Sequence, residues 1–450
     1  MIRLFAAAAA ALLLAGCATV PGVPEAPARA VYRGATLIDG TGAAPRAGMS
    51  LVTAGERIVA VVPDAELPPE SLAGAQVHDL GGRFVIPGLI DAHQHLATPP
   101  NLPRSRALMR RDLYGGITAV RVMADDLRPV AELAREARAG TLPGPDVSFA
   151  ALVAGRSFFD DPRTRAASGE YRPGEAPWMQ AIDDRTDIPL AVARARGTGA
   201  TGLKIYANLE PHLVRALTAE GRRQGLGVWA HGMVFPTLPA DVIAAGPHVV
   251  SHTCYLAYQI SDPAPSTYQE RFPVEAAALA GGDHPAMAAL FREMKRQGIV
   301  LDATLRVYGE AERRQAARGG PPYHCSLELA ATLTAQAHRE GVDIAAGTDG
   351  ATARTDPWPA LHEELELLVA RAGLTPLEAL RSATSVGART IGLEEEMGSI
   401  APGKLANFVV LARDPSRDIG AVRSVVTTVK RGRVYPRAGF RPITAAELPD

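Results

Sequence analysis

The central part of this chain alternates short apolar runs with segments whose apolar residues recur at helical spacing. The apolar runs predict eight strands, at residues 88–93, 117–122, 146–150, 202–206, 227–231, 248–252, 298–303 and 342–346. Helices are predicted between the strands, for instance at residues 211–224, 285–297 and 327–339. This order predicts an α/β chain folded as a (β/α)8 TIM-like barrel, with an open doubly wound sheet as the competing arrangement. No GxGxxG motif follows the first strand, so a dinucleotide site has no support.

Short β patterns also occur at both ends of the chain, separated by Gly, Pro and Asp. Residues 31–85 and 395–437 together predict a small β-sandwich domain assembled from the two ends. The barrel domain is then expected at residues 86–394. Residues 155–187 are polar, with Pro and many charges, and they predict a long loop near the barrel mouth.

The first residues have the form of a secretory signal, because one Arg precedes an apolar run too short to span a bilayer. The run ends in LAGC at Cys17, which resembles the lipobox of bacterial lipoproteins. We therefore predict a signal peptide at 1–16, lipidation of Cys17 and a Pro- and Ala-rich tether at 17–30; an ordinary signal peptide or a transmembrane anchor stays open. Ala18 follows the Cys, which by the same resemblance implies the periplasmic side of the outer membrane, with the lipid anchor as the sole membrane contact.

The formal net charge is −1, from 47 basic and 48 acidic residues, which argues against nucleic acid as a partner. Only four of the basic residues are Lys, so Lys204 inside an apolar strand pattern stands out. A buried, unpaired ammonium is costly; the amine avoids that cost by a lowered pKa, by forming a carbamate with carbon dioxide, or by reaching the strand end. Cys254 and Cys325 can pair in an oxidising compartment, but their spacing does not decide it.

Six chemistry-bearing residues lie at the ends of five different predicted strands. They are His93, His95, Lys204, His231, His252 and Asp349. His93 and His95 are two residues apart and so face one side of a strand. Taken singly, each histidine is more often a packing residue, but the carboxyl ends of barrel strands share one rim, where the set is expected to meet. Imidazole and carboxylate suit zinc and its neighbours in the transition series. We expect His324 and Cys325 to lie away from the mouth.

The order HxH, Lys, His, His, Asp closely resembles the amidohydrolase superfamily, in the subgroup with two metals bridged by a carboxylated lysine. The flanking text VIPGLIDAHQH, AAGTDG and MGSIAPGKLANFVVL agrees with that family over about residues 31–435. Within it, the chain is most similar to imidazolonepropionase-like and prolidase-like enzymes. Lys204 argues against imidazolonepropionase itself, which works with one metal and without such a lysine.

The resemblance implies a ligand set. His93 and His95 with Asp349 would hold the more buried of two divalent ions, zinc being expected, and His231 with His252 would hold the other. A carbamate on Lys204 would bridge both ions. Asp349 would be the catalytic residue that takes a proton from the attacking water and passes it to the leaving amine. Tyr206 would bind the carbonyl or carboxylate of the substrate, although a packed barrel tyrosine is an equal alternative.

The expected activity is hydrolysis of a C–N bond in a small molecule, as in a prolidase-like dipeptidase or an N-acyl amino acid hydrolase. A lactone or ester hydrolase with the same centre, or a non-catalytic binding lipoprotein, is the alternative. The sequence leaves the oligomeric state open, a homo-oligomer included.

Overall fold

The computed structural model describes residues 28–319 and 323–448. The predicted signal peptide, Cys17 and the tether up to residue 27 lie outside the described residues. Within the described ranges, no helix is long and apolar enough to cross a membrane.

The described residues form eighteen strands and thirteen α-helices. The strands are β1 (Ala30–Leu37), β2 (Arg46–Ala54), β3 (Arg57–Pro63), β4 (Gln76–Asp79), β5 (Phe84–Pro87), β6 (Leu89–Gln94), β7 (Ile117–Val122), β8 (Asp146–Gly155), β9 (Glu175–Ala176), β10 (Met179–Ile182), β11 (Gly202–Ile205), β12 (Gly227–His231), β13 (Val249–Ser251), β14 (Val300–Asp302), β15 (Ile344–Ala345), β16 (Phe408–Leu411), β17 (Val425–Lys430) and β18 (Arg433–Pro436). The helices are α1 (Leu102–Tyr114), α2 (Leu127–Ala139), α3 (Pro162–Ala167), α4 (Ile188–Gly197), α5 (Pro211–Arg223), α6 (Pro239–Ala245), α7 (Ala276–Leu279), α8 (Pro285–Gln297), α9 (Leu305–Arg318), α10 (Leu327–Arg339), α11 (Ala360–Ala370), α12 (Pro376–Ser382) and α13 (Ser385–Thr390).

Eight parallel strands form the predicted barrel, in the order β6, β7, β8, β11, β12, β13, β14 and β15. Each of the eight predicted strands corresponds to one of them. The first and last strands meet where the amide of Ala92 donates to the carbonyl of Ala346 at 2.9 Å, so the ring is nearly closed. The strands are almost entirely buried and mainly apolar, because barrel strands are covered on both faces.

The two ends of the chain meet in a separate sheet, as predicted. Its strands are hydrogen bonded in the order β18, β17, β16, β5, β1, β2 and β3, with β4 beside β1. We expected a sandwich, and the strands join in one continuous sheet of eight. Its buried face is apolar, with the ring of Tyr32 edge-on to Phe408 at 4.9 Å. Lys430 and Arg431 fasten this sheet to the barrel by ion pairs to Asp146, at 2.8 and 2.9 Å.

The segment at residues 155–187 is more ordered than the predicted loop. It contains α3 and a small hairpin of β9 and β10, and β10 extends the barrel sheet by pairing in parallel with β8. Phe158, Trp178 and Met179 are buried there, and the indole of Trp178 donates to the carbonyl of Ala167 at 2.9 Å. The loop prediction was wrong because these apolar residues have neither a helical nor a strand period. The predicted position is confirmed, since the segment lines the cavity at the barrel mouth.

Candidate metal centre and substrate cavity

His93 lies in β6 and His95 directly follows that strand, and both rings turn towards Asp349. The Nε2 atom of His95 lies 3.1 Å from Oδ1 of Asp349, and Nε2 of His93 lies 3.6 Å from the same oxygen. The alternation of a strand therefore brings the two imidazoles to one carboxylate, as the HxH spacing predicts.

His231 ends β12 and His252 follows β13, so both reach the same rim. Their ring centroids are 4.8 Å apart, and those of His93 and His252 are 4.9 Å apart. The closest set of candidate ligand atoms comes from His93, His252 and Asp349, all within 4.8 Å of one another. This tightest group mixes residues that the resemblance assigns to different ions. Three of the imidazoles lie against Asp349, and His231 adjoins them through the ring of His252.

Two of the candidate ligands have backbones in the left-handed region. His252 has φ of 71° and Asp349 has φ of 47°. Each such position costs about 1–3 kcal/mol for a non-glycine residue. Both occur where the chain leaves a barrel strand, and the sharp turn there aims the side chain across the rim. The strain is consistent with a functional site that the surrounding fold holds in place.

Lys204 sits on β11 with 1% of its surface exposed. Its amine has no hydrogen-bond partner among the described residues. Burial, together with the positive charge of Arg121, lowers its pKa to about 7, although Asp302 and Asp349 act in the opposite direction. A neutral, unpartnered amine is the form that can take up carbon dioxide, so the lysine fits the predicted carbamate.

The pKa shifts in the cluster keep two histidines neutral and two other groups charged. Burial lowers the pKa of His231 and of His252 well below its usual value, which leaves them as neutral ligands. Burial also lowers the pKa of His95, but Asp125 and Asp349 outweigh it and raise the value to about 9. Burial raises the pKa of Asp349, yet the neighbouring histidines lower it more, so it lies well below its usual range.

Three polar residues behind the histidines were not identified from the sequence. Nδ1 of His93 lies 2.8 Å from Oδ2 of Asp302, and Nδ1 of His95 lies 3.2 Å from Oδ1 of Asp125. Nδ1 of His252 lies 2.9 Å from the hydroxyl of Thr304. Metal-binding histidines usually have such a partner on the second ring nitrogen. A signal was present for Asp302, which is the last polar residue of the seventh predicted strand at 298–303, but its role depends on distances across the barrel.

All six predicted ligands and Tyr206 line one cavity of about 330 Å³. Its walls are mainly aromatic and apolar, and one guanidinium, from Arg163, also lines it. The ring of Tyr206 lies 4.0 Å from that of His231, and its phenol hydrogen bonds to Tyr268. Arg163 donates to the same Tyr268 phenol at 3.2 Å and pairs with Asp161. The cavity therefore combines metal-binding side chains, phenols and a cation.

One wall of the cavity is held by a disulfide between Cys254 and Cys325, whose Cα atoms are 6.2 Å apart. The sequence left this pairing open. His324 lines the cavity and stacks on Tyr255 with centroids 5.3 Å apart, so the expectation that it lies away from the mouth was wrong. The Pro-rich segment before His324 does not predict this position, because the position depends on the disulfide at Cys325, which is a tertiary contact.

Comparison with known proteins identifies relatives along most of the chain. A family model described as the Amidohydrolase family matches residues 84–435. Imidazolonepropionase from Cereibacter sphaeroides is 26% identical over 388 residues, covering 84% of this chain and 91% of that protein. Ochratoxinase from Aspergillus niger is 25% identical over 471 residues, covering 94% and 90%. A solved Xaa-Pro dipeptidase with bound methionine shares the fold at TM-score 0.71 and 19% identity, covering 91% of this chain and 100% of that one.

Proposed function

Because the chain belongs to the amidohydrolase family, and is accordingly a hydrolase acting on C–N bonds, we propose that it cleaves amide bonds in small amino acid derivatives. Dipeptides and N-acyl amino acids are the proposed substrates. The observation that carries the proposal is the single cavity in which six candidate ligands meet Tyr206 and Arg163. The Xaa-Pro dipeptidase that shares this fold is the reason for including dipeptides in the proposal.

The donor set fits two divalent ions, and zinc is the proposed metal because imidazole and carboxylate suit it. His93, His95 and Asp349 would hold one ion, and His231 and His252 the other. Lys204, as a carbamate, would be a ligand shared by both ions. Its buried amine, which has no hydrogen-bond partner within residues 28–319 and 323–448, supports this. When bound, such ions lower the pKa of water and polarise a carbonyl.

Asp349 is proposed to handle the proton. Its carboxylate lies within 3.1 Å of His95, and its low pKa keeps it ionised and able to accept a proton from the attacking water. The same carboxylate can then deliver the proton to the leaving nitrogen. Tyr206, beside His231, is placed to donate a hydrogen bond to the substrate carbonyl or carboxylate.

Arg163 supports a substrate that carries a carboxylate. Its guanidinium reaches the cavity from α3 and is held by Asp161 and by the phenol of Tyr268. Another part of the wall, formed by Phe158, Leu152 and Met179, is apolar and suits an acyl group or a hydrophobic side chain. An amino acid derivative offers both parts.

The test is a substrate panel on purified, zinc-loaded protein kept in bicarbonate. It contains Xaa-Pro and other dipeptides, N-acyl amino acids, the C-terminal amides of both, and lactones. We expect turnover of the free acids and, in Arg163→Gln, a KM raised about 10- to 100-fold for them with little change for the amides. The matched control is Arg165→Gln on the same helix, whose side chain lines a neighbouring groove.

If only lactones are turned over, the proposed substrate is an ester and not an amide. Metal binding without turnover of any panel member would favour the binding lipoprotein.

We also propose that lipidation of Cys17 anchors the protein to the periplasmic side of the outer membrane. The LAGC run that ends the apolar N-terminal segment supports this. A lipid on the first residue of the mature chain would place the barrel beyond the tether at 17–30, free to meet small molecules in the periplasm.

A further inference from the structure

Asp302 occupies the interior of the barrel directly beneath the histidine cluster. One of its carboxylate oxygens, Oδ2, lies 2.8 Å from each of three donors on other barrel strands. These donors are Nδ1 of His93, Nη2 of Arg121 and the hydroxyl of Ser251. The backbone carbonyl of Asp302 also accepts from the amide of His252 at 2.9 Å. One residue thus contacts two of the candidate metal ligands.

The carboxylate of Asp302 has no freedom to turn. It is 0% exposed, and a Cβ at Gly347 would collide with its Oδ1 atom, so the backbone of the last strand packs directly against it. Arg121 is equally buried and donates to the carbonyl of Ala92, and its guanidinium lies 4.9 Å from the ring of Trp229. Arg121 and Asp302 are therefore each held by the surrounding barrel, and their opposite charges neutralise each other.

This geometry determines which nitrogen of His93 carries the proton. Oδ2 of Asp302 can only accept, because Arg121 and Ser251 already donate to it, so Nδ1 of His93 must be the protonated nitrogen. Nε2 is then the free lone pair, and it is the atom that faces Asp349 at 3.6 Å. A histidine fixed in this way enters the site with its ligand atom already aimed.

We propose that Asp302, with its counter-ion Arg121, is the positioning residue of the metal centre, which sets the tautomer and orientation of His93. The inference rests on the proposed function for the identity of what His93 binds, but the tautomer itself is a property of the metal-free protein. The proposal adds to the candidate ligands a charged pair that supports them from behind, with Arg121 on β7 and Asp302 on β14.

Two variants separate this role from simple packing. Asp302→Asn keeps an acceptor oxygen facing His93 and loses only the charge. The double variant Arg121→Met with Asp302→Leu removes the acceptor and the ion pair together, so that neither buried charge is left alone. Ser251→Ala is the matched control, because it removes a different donor from the same oxygen.

The first measurement is the tautomer of His93 in metal-free protein, by long-range ¹⁵N–¹H NMR with ¹⁵N-labelled histidine and His93→Gln for assignment. We expect the Nδ1-protonated form in wild type, Ser251→Ala and Asp302→Asn, and a mixture of forms in the double variant. The second is zinc affinity by competition with a chelator, which we expect to fall about 10- to 100-fold in the double variant and less in Asp302→Asn.

A double variant that keeps the wild-type tautomer and zinc affinity would overturn the proposal, whatever its thermal stability. A wild-type protein that binds no zinc would refute the proposed function instead, and the tautomer measurement would still decide the role of Asp302.

Discussion

At the scale of single residues, the proposed metal centre depends on Lys204, whose amine has no hydrogen-bond partner in the part of the chain that the structure describes. In Lys204→Ala the proposed bridging oxygens are lost, so we expect the loss of at least one of two bound ions and of most of the hydrolytic rate. Metal content by atomic emission and steady-state kinetics measure this. Acetate or propionate at high concentration should partly restore the rate by taking the place of the carbamate oxygens.

Normal metal content and rate in Lys204→Ala would contradict the carbamate. The outcome is specific to this lysine if Lys295→Ala, on the helix α8, behaves as wild type.

The histidines give a second prediction at this scale. His93→Ala and His231→Ala each remove a side chain that lines the cavity, so both should lose bound metal and activity. The measurement is the molar ratio of zinc to protein after dialysis, beside the rate on the best panel substrate. His212→Ala is the control, because that imidazole is exposed and pairs with Asp184 at 2.7 Å. Equal metal content in all three variants would mean that the cluster does not bind the ions.

The sequence predicts the candidate ligands but not the carboxylates that lie behind them. His93, His95, Lys204 and the other ligands were found because a strand end is a position that the sequence pattern marks. Asp125 and Asp302 were missed because a carboxylate behind a ligand has no spacing of its own. Their function depends on distances across the barrel, which no local pattern encodes.

At the scale of elements, the barrel strands have a local sequence pattern, whereas the inserted hairpin depends on tertiary contacts. The eight barrel strands were predicted because burial on both faces makes each a continuous apolar run. The hairpin of β9 and β10 was missed because its two short strands are stabilised by β8 and by buried rings from α3's neighbourhood rather than by their own period. Elements that depend on one tertiary neighbour are the ones the pattern could not predict.

The disulfide provides the prediction for this scale. In the double variant Cys254→Ser with Cys325→Ser, we expect the wall bearing Tyr323 and His324 to loosen, so that KM rises more than kcat falls. We also expect the protein to be less stable by about 2–4 kcal/mol, because the bond closes a long loop. Kinetics and thermal unfolding measure the two effects. Wild-type protein treated with a reducing agent should behave in the same way, and an unchanged KM and Tm in both would contradict this role.

At the scale of the whole molecule, the proposed anchor and the enzyme are separate parts of one chain. Full-length protein made in a Gram-negative host should fractionate with the outer membrane, because a lipidated Cys17 holds it there. Cys17→Ser should release the protein or block its processing, while the rate of the purified enzyme stays unchanged. Cell fractionation with mass spectrometry of the mature N-terminus measures this. A soluble mature protein that begins at another residue would contradict the prediction.

The pairing of β5 with β16 has a consequence for how the protein is made. It pairs Ile86 with Val409, and closure of the barrel pairs Ala92 with Ala346. The contacts that complete the small sheet and the barrel therefore join residues that are far apart along the chain. A nascent polypeptide cannot form them until its last strands have been synthesised, and such long-range contacts are slow to form. His93 is made early and Asp349 late, so the full set of proposed ligands would be available to an ion only after Asp349 has been synthesised. Binding of the proposed metal would in this sense follow most of translation, and the compartment in which folding ends would decide which ions the site meets.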